Sequence, residues 1–488
     1  MVIESLKYKI LQQFGFAPTQ EQGQALDTFV SFLTDRDPQA VMILRGSAGT
    51  GKTSLSGAIV RTLLQIRQKV MLLAPTGRAA KVFSLGSGAP AYTIHRRIYR
   101  EKAFAGVDGQ FSLNDNLYTD TLFMVDEASM IANMGLGGTT FGSGCLLDDL
   151  VKFVYQGHND RLLLIGDKAQ LPPVGEEESP ALSASVMEGY GLKVYECDLN
   201  EVLRQSQSSG ILYNATLIRQ MITHDAVTGL PLIRFKGFAD IVMMPGAELV
   251  ESLGDSYHHV GMDETMVITR SNKRANIYNN GIRNIVLDRE EELSSGDMLM
   301  IVKNNYFWTE KEKKESGEES AGAVPAFLAN GDRAKVLRVS NYIELYGFRF
   351  ATLLLQLPDY DDYEMQVTGM LDTLQSEAPA LTHEQQEELF RQVEEDYQHF
   401  VPLKADRMKS IRQDAYFNAL QIKYAYAVTC HKAQGGQWAH VYVDQGYMTD
   451  DMLTPDYIHW LYTAFTRATD KLFLVNWPKE QTCEPTDL

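Results

Sequence analysis

Residues 41–53 read VMILRGSAGTGKT. A short apolar run is followed by a loop with three glycines, and a Lys-Thr pair then opens a predicted helix over 54–67. Gly46, Gly51, Lys52 and Thr53 fill the pattern G-x-x-x-x-G-K-[ST]. Gly46, Gly49 and Gly51 let the backbone N–H groups of a loop through Ser47, Ala48 and Thr50 turn inward around phosphate oxygens. The helix N-terminus adds partial positive charge. Lys52 is expected to reach the β- and γ-phosphates of ATP, and Thr53 to place its hydroxyl on Mg²⁺. A glycine-rich turn without a ligand is the alternative. The strand-like run before the loop and the helix after it favour phosphate.

Outward from this loop, apolar runs alternate with helical stretches: VMLLAP (70–75), TLFMVDE (121–127), RLLLIGD (161–167) and KVYECDL (193–199). Continuous hydrophobic strands between helices predict an α/β fold, with a parallel sheet covered on both faces. Functional residues then belong just past the strands' carboxyl ends. Pro75-Thr76-Gly77-Arg78, Asp126-Glu127 and Gly166-Asp167 all follow such runs. Between Ile98 and Tyr118 the rhythm lapses, and VDG (107–109) predicts a hairpin. Met134 to Gly144 reads as a glycine-rich loop.

A second set of runs follows residue 206: ADIVMMP (239–245), TMVITR (265–270), YAYAVT (424–429), HVYVD (440–444) and KLFLVN (471–476). It predicts a second α/β domain over 206–295 and 420–488, after a first over 1–205. The interruption at 296–419 opens with short strands and Asn-Gly-Asp turns, the pattern of a small β-barrel within 296–360. EKEKKESGEES (310–320) reads as an exposed loop, and the acidic stretch 382–400 as a solvated helical face.

The 488 residues, 44% hydrophobic and 22% charged, suit a globular chain with several cores. No run approaches membrane-spanning length, and residues 1–15 lack a secretory layout. The four cysteines are scattered, which argues against a disulfide framework or zinc site and predicts a cytoplasmic location. A net charge of −18 would count against nucleic acid. However, 359–402 holds twelve acidic residues against Arg391 alone, leaving the rest nearly balanced.

Asp126 and Glu127 are the expected partners of the loop: Asp126 for the metal, Glu127 as general base. A capping acid pair is the alternative. Gln170, after a buried strand and before Pro172-Pro173, is suited to contact the γ-phosphate. Arg204 and Arg467 are candidates to neutralise transition-state charge. Thr19 and Gln22 form a capping box.

At this point a family resemblance emerges. GSAGTGKT, APTGRAA (74–80), TIHRRI (93–98), VDEASM (125–130), GDKAQLPPVG (166–175), LNEVLRQ (199–205), VTCHKAQGGQW (428–438) and YTAFTRA (462–468) occur in the order and wording of superfamily 1B helicases. The chain most resembles their RecD, Dda and Pif-type group. The resemblance implies two RecA-like domains with ATP between them, Gln22 reading adenine, and Arg204 and Arg467 reaching the γ-phosphate. It implies a single-strand track lined by Pro75, Thr76, Arg78, His95, Thr429, His431 and Lys432. The 98–118 hairpin resembles the strand-separating pin, with Phe104 or Phe111 as its apolar tip, and the insert resembles an SH3-like barrel. The implied activity is a 5′-to-3′ DNA helicase serving replication, recombination or repair, monomeric, acting on single-stranded DNA and on junctions with duplex. Alternatives are a motor acting on RNA or displacing proteins, and a motor subunit of a recombination or nuclease complex. The acidic segment 360–418 is read as an arm for a protein partner.

Overall fold

The structure, a computed structural model, describes residues 2–105, 108–135, 142–201, 208–223, 229–320, 324–325, 327–449 and 452–483. Its first domain is a parallel sheet of β1 (Ala40–Gly46), β2 (Lys69–Ala74) and β3 (Ala91–Thr93), joined after the hairpin of β4 (Tyr99–Ala105) and β5 (Asp108–Leu113) by β6 (Thr121–Val125), β7 (Arg161–Gly166) and β8 (Lys193–Leu199). The order is β3-β2-β6-β7-β1-β8, with every neighbouring pair parallel. β1, β6 and β7 are buried at every position. Their side chains alternate between two cores. Met42, Leu44, Met124 and Leu163 point to the face covered by helices Val2–Phe14, Gln20–Leu33 and Lys52–Gln65. Val41, Ile43, Phe123 and Leu162 point to the face covered by helix Leu146–Gln156. Burial on both faces is why the strands read as unbroken apolar runs.

The second domain sets β9 (Ile241–Met244) and β10 (Thr265–Thr269), which precede the insertion, beside three strands that follow it. The insertion is a closed barrel of β11 (Met298–Ile301), β12 (Arg333–Leu345), β13 (Phe348–Leu357), β14 (Tyr363–Met370) and β15 (Leu420–Tyr424). The chain then returns through β16 (Ala427–Thr429), β17 (Trp438–Asp444) and β18 (Ala468–Val475), giving a parallel sheet ordered β16-β10-β17-β18-β9.

Two local readings are corrected. The apolar run 424–429 is not one strand: Tyr424 ends the barrel strand β15 and Ala427 begins the sheet strand β16, so the barrel closes with a strand far beyond residue 360. The charged stretch 310–320 is not a loop but lies in helix Phe307–Ser320. Glu and Lys are good helix formers, and the anchoring Trp308 is buried, its indole N–H donating to the Asn418 carbonyl at 2.9 Å.

Helices His383–Gln398 and Lys404–Arg412 lie between β14 and β15 and pack Leu389, Val393 and Ile411 onto Phe348 and Phe350 of the barrel. The acidic stretch is thus solvated on one face only. Among the described residues no helix is long and apolar enough to cross a membrane.

Candidate active site

β1 delivers the chain into the glycine loop, and the geometry there admits few other residues. A Cβ on Gly46 would lie 2.8 Å from Lys52 Cγ and 2.9 Å from Thr50 Oγ1. Gly49 and Gly51 have φ of 78° and 81°, in the left-handed region that favours glycine. Helix Lys52–Gln65 starts directly after the loop, with Thr53 in its first turn. Lys52 Nζ donates to the carbonyls of Gly46 and Ser47, the latter at 3.1 Å. Gln22 serves two masters: its Oε1 accepts the Thr19 N–H at 3.0 Å to close the capping box, and its Nε2 donates to the Thr50 carbonyl at 2.9 Å. The capping residue of helix Gln20–Leu33 therefore also braces the phosphate loop.

Asp126 and Glu127 follow β6. The Asp126 carboxylate accepts the Glu127 N–H at 2.9 Å, and burial, with Glu127 beside it, pushes its carboxyl up to about 7. Glu127 has φ 52° and makes no side-chain capping bond to the short helix Ala128–Met130, which removes the reading of a capping pair. With its amide turned to match its neighbours, Gln170 donates to Glu127 Oε2 at 3.3 Å and accepts from Arg467 Nη2 at 3.2 Å. Arg467 is buried on the second domain and also donates to the carbonyls of Thr463 and Gly436, each at 3.1 Å. Glu127, Gln170 and Arg467 thus form one chain of contacts from domain to domain. Arg204 lies outside the described residues.

The same cleft is closed by groups that the sequence reading passed over. Tyr462, on helix Pro455–Phe465, donates to Asp167 Oδ2 at 2.6 Å and accepts the Ala48 N–H at 3.0 Å. The Leu171 N–H donates to Thr463 Oγ1, and Gln434 Nε2 donates to the Leu171 carbonyl, both at 2.8 Å. Arg219, on helix Gly210–Thr223, donates to Ser47 Oγ. Tyr462 and Asp167 sit inside quoted motifs and could have been singled out. Arg219 carries no motif.

These donors fit a nucleotide with its cation. The loop offers N–H groups, Lys52 an ammonium, and Thr53 with Asp126 the oxygen ligands that Mg²⁺ takes from protein in such sites.

The strand-track candidates fall on both sides of the domain boundary. Thr76 caps helix Gly77–Ser87 by accepting the Ala79 N–H at 3.2 Å, directly after Pro75. Arg78 donates to the Gln437 carbonyl at 2.5 Å and lies over the Trp438 ring at 4.5 Å; burial lowers it to about 10. Thr429 precedes helix Cys430–Ala433, which carries His431 and Lys432; burial lowers both. A Cβ on Gly435 would lie 3.1 Å from Thr76 Oγ1, so this turn abuts the Thr76 cap. His95 stands 5.6 Å from the Tyr99 ring, and burial pushes it down to about 4, so it is neutral at pH 7. Phe111 is not an exposed tip. It pairs with Glu101 partway down the hairpin and packs at 4.9 Å on Tyr306, which stacks on Phe327. The Phe104 backbone pairs with Gly109 near the turn; its side chain lies outside the described residues.

Two parallel sheets meeting over a phosphate loop, with an acid pair and an amide on one side and a buried arginine from the other, define a tandem RecA-like nucleotide-binding protein. Residues 17–229 match the family described as AAA domain, and residues 424–475 match the UvrD-like helicase C-terminal domain. The ATP-dependent RecD2 DNA helicase of Deinococcus radiodurans is 30% identical over 157 residues, which cover 32% of this chain and 18% of that protein. An uncharacterised protein of Acanthamoeba polyphaga mimivirus is 22% identical over 508 residues, covering 90% of this chain and 96% of that one. Among solved structures, one of two coordinating Pif1 helicases at forked duplex DNA aligns over 96% of this chain and 95% of its own, at 13% identity and a TM-score of 0.47. The two matched stretches fall on the first and on the second of the parallel sheets. The chain spans only 18% of the Deinococcus relative, and 13% of a Methanocaldococcus jannaschii protein that it matches at 33% identity.

Proposed function

We propose that the chain is an ATP-driven motor that moves 5′ to 3′ along single-stranded DNA and separates duplex at a junction. The observation that carries this reading is the contact chain Glu127–Gln170–Arg467, which joins the candidate general base to a buried arginine of the opposite domain. Two groups flanking the hydrolysis site then sense whether the cleft is shut. Glu127 orients and deprotonates water, Gln170 keeps Glu127 and Arg467 in register, and Arg467 with Arg204 offsets developing negative charge. Mg²⁺, held through Thr53 and Asp126, would neutralise the phosphates. Gln22 keeps the loop in shape and would read adenine.

Closure is transmitted to the track because the same elements carry both. Thr76 and Arg78 follow β2, beside the acid pair, while Thr429, His431 and Lys432 precede Gln434 and Gly436, which touch Leu171 and Arg467. A strand held by its phosphates between these turns would advance with each closure, with little sequence preference. The 98–118 hairpin would split duplex at the front. The name and identity of the Deinococcus relative support this assignment of activity. We further propose a monomer in the cytoplasm, with the helical arm over 383–412 available to a protein partner.

The test is ATP turnover by the full chain with no nucleic acid, with DNA oligonucleotides and with RNA oligonucleotides. Strong stimulation by single-stranded DNA supports the reading. Stimulation by RNA alone would replace it with an RNA motor, and no turnover would end it.

A further inference from the structure

Helix Gly210–Thr223 of the second domain directs Arg219 back onto the phosphate loop. Its Nη1 donates to Ser47 Oγ and stands 3.4 Å from Asn200 Oδ1. It lines a cleft of about 550 Å³ with Gly46, Ser47, Asp167, Asn200 and His459. Of the acids lining this cleft, Glu177 and Glu178 are exposed and form no ion pair with Arg219, and the other two are engaged elsewhere. Asp167 accepts from Tyr462 at 2.6 Å, and Asp198 takes Arg45 in a two-pronged contact of 2.7 and 2.9 Å. Among the described residues Arg219 makes no ion pair; both of its partners are neutral.

A half-buried guanidinium with only neutral partners, set against a loop built for phosphate, lacks the anion that normally accompanies it. Lys52 fixes which side of the loop this is. Its ammonium donates to Gly46 and Ser47 carbonyls, and in loops of this kind that lysine reaches the β- and γ-phosphates. Both cations therefore converge on Ser47. The bland account is a tether, with Arg219 doing no more than holding Ser47 in place. It does not explain why a charged side chain comes from the other domain where an amide or hydroxyl would bond as well.

We propose that Arg219 is a ligand of the terminal phosphate of a nucleoside triphosphate bound in the loop. It is additional to Arg204 and Arg467, and the proposal rests on the ATP-driven reading above. Nucleotide entry shifts the guanidinium from Ser47 Oγ to a phosphate oxygen, so helix Gly210–Thr223 registers triphosphate directly. ADP leaves the Ser47 contact intact.

The experiment is equilibrium binding of fluorescent ADP and of a fluorescent non-hydrolysable ATP analogue to the full chain and to Arg219→Gln and Arg219→Lys. Glutamine removes the charge and leaves a neutral amide at the position of the guanidinium Nε, while lysine keeps the charge. The expected result is a fall of about tenfold or more in triphosphate affinity for Arg219→Gln, with ADP affinity within about twofold and partial recovery in Arg219→Lys. The unfolding midpoint without nucleotide stays unchanged. Equal losses for both nucleotides, or no loss, would overturn the proposal. If Arg219→Gln does not fold, Arg219→Lys decides: a smaller loss confined to the triphosphate supports it, and any other pattern overturns it. A wild-type chain that binds neither nucleotide would overturn the motor reading together with it.

Discussion

Arg467 Nη2 on the second domain lies 3.2 Å from the amide oxygen of Gln170 on the first, and that same amide donates to Glu127. Arg467 is buried with two further carbonyl partners, so its position is set by helix Pro455–Phe465 and the Gly436 turn rather than by solvent. Gln170→Ala should cut the link and leave both end groups in place. The expected outcome is a fall in DNA-stimulated kcat of roughly 10²–10³, with nucleotide and strand affinity within a few-fold. Steady-state turnover beside nucleotide titration checks this.

Gly46 has no room for a side chain, since a Cβ would press on Lys52 Cγ and Thr50 Oγ1. Gly46→Ala should displace Lys52 at an overpacking cost of ~1–3 kcal/mol and weaken nucleotide affinity by on the order of tenfold or more. Calorimetric titration with ADP reads the change directly.

Tyr462 joins Ala48 and Asp167 through one buried hydroxyl. Tyr462→Phe keeps the ring and leaves two buried polar groups short of a partner. The nucleotide-free chain should lose ~1–3 kcal/mol. Urea unfolding measures the loss, and small-angle scattering should show the two domains parting.

The start of helix Gly77–Ser87 abuts the barrel at Asp332, since a Cβ on Gly77 would press on its Oδ1, and Asp332 Oδ2 accepts from the Tyr360 hydroxyl at 2.6 Å and the Ala329 N–H at 2.7 Å. Burial pushes its carboxyl up to about 7, against an ordinary value of 3.8. The folded state therefore holds a proton that the unfolded chain has released between about pH 4 and 7. Its contribution is full below pH 4 and is lost as pH rises through 7. Asp332→Asn, neutral at every pH, should flatten that segment of the curve of urea midpoint against pH between about 4 and 7.

Much of this was legible in the sequence for definable reasons. Strands β1, β6 and β7 have both faces buried, so their composition alone marks them, and a phosphate loop constrains glycine and lysine at fixed spacing. Gln170 stood out because its strand and diproline fix its place. What escaped was long-range or masked by continuity. Arg219 meets Ser47 across 172 residues from an ordinary helix. The run through 424–429 hides a boundary between barrel and sheet because both sides are buried. Phe111 reads as a tip residue until Tyr306, from another part of the chain, is found against its ring.

The central claim is tested most directly by ATP-dependent strand separation on two partial duplexes, one with a 5′ single-stranded tail and one with a 3′ tail. A 5′-to-3′ motor predicts that only the 5′-tailed duplex is unwound. Unwinding of the 3′-tailed duplex, or of neither, would contradict it.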